Sequence, residues 1–227
     1  MKFLKKFATR AEYEAYMATN ENYPHVGYIA DEGKVEFVAN RPLVFYDKIT
    51  GDGVAYIMTD YYPHSHDFIE FKAKWAGVTQ VLFGVRDNMK VIFIWSGSTK
   101  GYALWNSGSS TQIKANNDAV NTLGAKYDGD SIYGIYCNEQ WLSSAGTSSV
   151  QSNTGLYIFA STTDDGSLDS RIWSGDLYYL KITDAKTGML KLDLVPASFG
   201  GKAGLYDRVS NKFYANANTE GTLTLSD

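Results

Sequence analysis

One cysteine, three histidines and four prolines in 227 residues leave several kinds of chemistry without material. Cys137 alone can close no internal disulfide and can found no thiolate metal cluster, and in IYGIYC it reads as a small hydrophobe on a strand. With so few histidines no Ser-His-Asp or Cys-His arrangement assembles, and no P-loop or dinucleotide fingerprint occurs. Long apolar runs are missing too. The longest, Val91 to Trp95, has five residues, far short of the roughly 20 that a membrane-spanning helix needs. The opening MKFLKKFATRAEYEAY is charged and lacks an uninterrupted apolar stretch, so it does not read as a secretory signal, and synthesis and folding in a cytoplasm are expected. Nor is there an excess of basic charge: Lys+Arg 21 against Asp+Glu 25 gives −4 and a pI near 5.4, which argues against nucleic acid or an anionic membrane as partner.

What the chain has is aromatic residues, 15% of the total and led by 17 Tyr, and an apolar pattern of period two. A chain of 25.2 kDa can bury a real core as one β domain with a small appendage. Near the N-terminus, Thr9 followed by Glu12 is a capping pair, and a short helix is expected over Arg10 to Thr19. A turn at Asn22 to Pro24 then leads into a hairpin, HVGYIA and KVEFVA, closed by a loop with Gly33. Arg41 and Pro42 mark a junction, so residues 1–42 are read as an N-terminal segment and 43–227 as the main domain. Beyond it, HDFIEFKAKW alternates with Ile69, Phe71, Ala73 and Trp75 facing the core, and VTQVLFGVRD follows with Val81, Phe83 and Val85 inward. KVIFIW is apolar on both faces and reads as a central strand or one whose outer face meets a partner, while DSIYGIYC and QWL form a hairpin around Asn138 and Glu139.

From Gly155 onward the strand GLYIFA, with Leu156, Ile158 and Ala160 on one face, precedes a polar loop from Ser161 to Arg171. GDLYYLKI follows, with Tyr178, Leu180 and Ile182 sharing a face, then MLKLDLVPA, which Pro196 is expected to stop. GLYDRVSNKFY reads as a hairpin reversing at Ser210 and Asn211. The order of GLYIFA, a polar loop, R-x-W-x-G-D-LYYLKI, L-x-LDLVPA and GLYD-x-V-x-NKFY resembles a concanavalin A-like, laminin-G-like jelly-roll domain, common in surface and bacteriophage structural proteins of gut microbes, over about Asp47 to the end. The N-terminal helix and hairpin are similar to segments on such surface proteins. The resemblance implies an all-β fold, a two-sheet antiparallel jelly-roll sandwich with a small N-terminal helix and β-hairpin. It also implies a structural or adhesive virion protein, with a bacterial carbohydrate-binding module as alternative and a glycan-cleaving enzyme as the third reading. An enzyme is not expected, since the hydrolases of the fold carry E-x-D-x-x-E on one strand and this sequence does not.

Candidate sites follow. Trp105, just before the NSGSS turn, and Trp141, just after the NEQ turn, would either plug the core or offer a rim platform to sugars. Asp164, Asp165 and Asp169 would sit in the same rim, as hydroxyl partners, as calcium ligands or as caps of their own loop; no other cofactor is expected. His64 and His66, two apart beside Asp67, have the spacing of half a metal site or of an ordinary loop. Tyr13, Tyr16, Met17, Tyr28, Ile29 and Phe37 give the N-terminal segment more apolar surface than it should hide alone, so docking on another virion protein is expected. By resemblance the protein would be a homo-oligomer, a trimer first.

Overall fold

The computed structural model describes residues 4–20, 26–37, 43–64, 66–75, 80–87, 90–96, 101–106, 109–114, 119–128, 132–137, 140–145 and 152–227. The expected turn at Asn22 to Pro24, the junction at Arg41 and Pro42, and the reversal at Asn138 and Glu139 lie outside them. Two units separate, Met1–Val44 with Ser198–Lys202, and Phe45–Ala197 with Ala203–Asp227.

In the first unit, β1 (Leu4–Phe7) precedes α1 (Arg10–Asn20) and pairs in parallel with β2 (Val26–Ile29), which pairs antiparallel with β3 (Lys34–Phe37). The β2–β3 turn places Gly33 at φ 61°, where a Cβ would be strained. The helix starts where the capping pair places it. The Glu12 amide donates to Thr9 Oγ1 at 3.3 Å, and Glu12 Oε2 accepts from the Ala8 amide at 2.9 Å. Sequence reading missed β1, whose charged LKKF shows no alternation, and with it the residue that closes the unit's core. Phe7, Tyr13 and Ile29 are buried together, with Phe7 and Tyr13 edge to face at 5.2 Å and Tyr16 packed alongside.

The chain goes on through β4 (Val44–Phe45), β5 (Lys48–Asp52), β6 (Ile57–Met58), β7 (Asp67–Trp75), β8 (Gln80–Arg86), β9 (Lys90–Ser96), β10 (Gly101–Asn106) and β11 (Ser109–Lys114). It continues through β12 (Asn121–Asp128), β13 (Ile132–Cys137), β14 (Gln140–Ala145), β15 (Tyr157–Ile158), β16 (Ser174–Asp184), β17 (Leu190–Phe199), β18 (Lys202–Asp207), β19 (Lys212–Ala215) and β20 (Leu223–Ser226). One sheet has six strands in the order β11-β10-β9-β8-β15-β6, and the other is built on β14-β13-β12-β7-β16-β17-β18-β19. β9 is internal to its sheet, as its two apolar faces imply. On β7 the pattern holds without exception: Asp67, Ile69, Phe71, Ala73 and Trp75 are buried and the residues between them half-buried. Phe71 meets Phe83 of the opposite sheet edge to face at 5.1 Å, and Trp173, Ile49, Leu177, Leu180 and Leu194 fill the space around them.

Three strand readings change. GLYIFA pairs only at Tyr157–Ile158, because Phe159 turns to φ 67°, donates its amide to Leu82 O at 2.5 Å and accepts from the Trp173 amide at 2.7 Å. Its ring is therefore buried along with Ile158 and Ala160 rather than on the opposite face. β16 carries a bulge between Leu177 and Tyr179 against β7, so Leu177 joins Leu180 and Ile182 in the core while Tyr178 is left half-buried outside it. Pro196 does not end its strand, because pairing of β17 with β16 runs only from Leu190 to Leu194. Beyond that ladder the segment after β4 lies beside the strand, where Pro196 O accepts from the Tyr46 amide at 3.1 Å. The hairpin with Ser210 and Asn211 at its reversal forms as read, Asn211 at φ 58°.

Candidate functional site

The loop from Ser161 to Arg171 is built on its own turns. Thr163 donates its amide to Ser167 O at 2.7 Å, Gly166 donates to Thr163 O at 3.0 Å, and Asp165 Oδ1 accepts from the Ser167 amide at 3.0 Å and from the Thr163 hydroxyl. Those bonds hold Asp165 below the usual carboxylate range, the Thr163 hydroxyl contributing most. Asp164, Asp165, Gly166, Ser167 and Leu168 form the exposed tip. Its base is fastened to β8. The Val81 amide donates to Arg171 O at 2.8 Å and the Arg86 amide to Thr162 Oγ1 at 2.8 Å.

Asp169 lies under the tip, 3% exposed. Its Oδ1 accepts from Arg171 Nε at 2.9 Å and its Oδ2 from Arg171 Nη2 at 2.5 Å, with Arg86 Nη2 at 3.7 Å. Burial pushes its pKa up, but the Arg171 guanidinium and amide, with Arg86, outweigh that and hold it below the usual range. Asp169 therefore buckles the loop to two guanidiniums, while Asp164 and Asp165 stand at the tip. Sequence reading missed both arginines; the D-x-R spacing of Asp169 and Arg171 was the available signal. Among the described residues no group of three His, Cys, Asp or Glu could hold a metal.

Trp105 and Trp141 are placed by backbone alone. Trp105 pairs with Ile92 and Ser110 on the six-stranded sheet, and Ile92 with Gly84, which pairs with Tyr157. Three strand spacings, about 14 Å of backbone, thus separate Trp105 from the strand that leads into the loop. Trp141 pairs with Tyr136 at the edge of the other sheet, and the two are not brought to one sheet. Both side chains lie outside the described set, as do those of Met17, Tyr28 and Phe37. Tyr13 and Ile29, expected to be offered to a partner, are instead buried in the first unit's own core, because Phe7 of the unread strand covers them.

The histidine pair is not an open loop. His64 and His66 lie with ring centroids 4.8 Å apart, and the His66 amide donates to His64 Nδ1 at 3.2 Å. Asp67 beside them is fully buried, accepting from the His64 amide at 2.7 Å and the Tyr61 hydroxyl at 2.8 Å, with Lys191 Nζ at 3.6 Å and Lys191 also on Asp184 at 2.9 Å. Desolvation pushes Asp67 up and His64 down, and raises the Tyr61 hydroxyl far above its ordinary value. This cluster pins the Tyr61 to Asp67 segment to the β16–β17 turn.

Two packed antiparallel sheets with this strand order form an all-β jelly-roll sandwich. The fold is similar to that of a candidate carbohydrate-binding protein of Bacteroides ovatus (TM-score 0.58, 14% identity), over 81% of this chain and 61% of that one. It is also similar to the heptameric SAP-like pentraxin of Limulus polyphemus (TM-score 0.54, 13% identity), over 83% and 97% of the two chains. The full extracellular region of zebrafish Gpr126/Adgrg6 matches with a TM-score of 0.51 and 15% identity, over 86% of this chain and 28% of that one. No protein-family model matches the sequence, and no curated protein matches it.

Proposed function

We propose that the protein is a non-enzymatic glycan-binding or adhesion protein, carried on a bacteriophage virion as a head fibre, decoration or tail accessory subunit. The observation that carries the glycan reading is the fold shared with the B. ovatus candidate carbohydrate-binding protein over 81% of the chain. Its jelly roll projects, and its N-terminal unit attaches to another virion protein, in a homo-oligomer with a trimer first. The non-enzymatic reading is supported by how the strand carboxylates are used. Asp176 accepts from Lys48 and Thr50, Asp193 from Arg208, and Asp67 from Tyr61, so these are committed to structure rather than poised across a cleft. An array of neutral and acidic glycans, probed with the purified protein with and without calcium, tests the glycan reading, which fails if nothing binds. Truncation of residues 1–40 tests attachment: the expected product is soluble and melts normally but is absent from particles, and particles that retain it at full occupancy refute attachment through the N-terminal unit.

A further inference from the structure

The solvent side of β7 and β16 is neither apolar nor evenly charged. Glu70, Lys72 and Lys74 alternate with the core residues of β7, and across the ladder Lys181 lies opposite Glu70, Tyr179 opposite Lys72, and Asp176 opposite Lys74. The bulge in β16 leaves two successive tyrosines, Tyr178 and Tyr179, outside the core. Lys72 Nζ sits 5.0 Å from the Tyr178 ring centroid and Lys181 Nζ 5.1 Å from that of Tyr179. The Tyr179 hydroxyl donates to Glu70 Oε1 at 3.2 Å, and burial together with the Glu70 charge pushes its pKa up to about 12, so it stays a donor at any ordinary pH.

The charge on this face does not balance. On the solvent side of β7 and β16 themselves, Lys72, Lys74 and Lys181 stand against Glu70 and Asp176, an excess of one positive charge on a chain whose net charge is −4. Lys48 is taken by Asp176 at 2.8 Å and Arg208 by Asp193 at 2.8 Å. Lys72, Lys74 and Lys181 form no ion pair among the described residues, and two of them rest on rings, a weak attraction at a partly exposed site. Tyrosine rings suit the C–H faces of sugars, hydroxyl and carboxylate suit sugar hydroxyls, and unpaired ammoniums suit an anionic substituent. Resting on the glycan reading above and naming its ligand class, we propose that the β7–β16 face binds an acidic glycan, one bearing uronate or sulfate groups, with Tyr178 and Tyr179 under the sugar rings and Lys72, Lys74 and Lys181 on the anions.

Calorimetric titration of the full chain tests this with oligogalacturonate as the uronate probe, a heparin oligosaccharide as the sulfate probe, dextran as the neutral sugar and polyglutamate as the non-sugar polyanion. Binding of either acidic sugar in preference to both controls is expected, and the tighter of the two identifies the anion. The double variant Lys72→Gln/Lys181→Gln should weaken it at least tenfold with an unchanged melting temperature, and Tyr179→Phe, which keeps the ring and loses the hydroxyl, should weaken it less. Polyglutamate bound as tightly as the sugars, or full affinity in the double variant, overturns the proposal. Neutral-glycan binding that the double variant leaves untouched overturns it while the glycan reading stands; binding of no glycan at all, neutral or acidic, sinks both.

Discussion

Gly175 stands at φ 145° where β16 crosses β7, and a Cβ there would lie 2.4 Å from Lys74 O and 2.6 Å from Trp75 Cα. Those atoms are backbone and cannot step aside, so Gly175→Ala should lower the melting temperature by many degrees or prevent folding, read by a thermal melt. Trp173, fully buried nearby, has an indole N–H with no hydrogen-bond partner among the described residues. Trp173→Ala should cost about 3–5 kcal/mol in urea unfolding, whereas Trp173→Phe should cost clearly less, because the smaller ring also removes the unsatisfied donor. Asp169→Asn leaves Arg86 and Arg171 without their carboxylate; with Arg171 35% exposed, solvent screening reduces the loss to about 1–3 kcal/mol. Since the folded pKa of Asp169 is depressed, its contribution is complete above the unfolded value near pH 4 and is lost as pH falls through the folded one. Urea midpoints from pH 7 to pH 3 should therefore fall more steeply for the natural protein than for the Asn variant.

At the scale of the element, Thr9→Ala should remove about 1 kcal/mol from α1, seen as faster amide exchange over Arg10–Tyr16. The bulge in β16 makes a sharper test. Deleting Tyr178 removes the extra residue and leaves Leu177 opposite Ala73 and Tyr179 opposite Lys72 in regular alternation, so that variant should stay folded by near-UV circular dichroism, whereas deleting Tyr178 and Tyr179 together puts Leu177 and Leu180 on opposite faces and should give an insoluble or molten chain. The same element marks the limit of sequence reading. Alternation gave β7 residue by residue, since the extra residue of the bulge lies on β16 and leaves β7 itself regular, and turn chemistry gave the β18–β19 hairpin. It failed at Tyr178 and at Phe159, where the chain departs from period two to meet a tertiary partner that lies far away in sequence. β1 was illegible for another reason: its role comes from Phe7 meeting Tyr13 and Ile29, and LKKF carries no local pattern. Of the candidate site, the acidic loop was legible, but its Asp169 buckle needed Arg86, which only the fold brings within reach. The tyrosine–lysine face was hidden by the bulge.

For the molecule as a whole, the melting temperature should be indifferent to reducing agent, because Cys137 is the sole cysteine; a shift on adding a thiol would reveal a bond between chains. The sheet that carries the tyrosine–lysine face has an unusual seam. β5 and β17 lie end to end along one side of β16, β5 opposite Ser174–Leu177 and β17 opposite Leu180–Thr183, and β20 covers the far side of β5. Ile49 thus finds its two neighbours at Leu177 and Leu225. On a ribosome adding about 5–20 residues per second, β5 emerges with no strand to join and stays an open edge for several seconds or longer until both have been made. Closure of this sheet then waits until β20 has emerged, a high-contact-order step on the millisecond-to-second scale in which an early strand meets the last one. The interval before it is when a chaperone has something to hold.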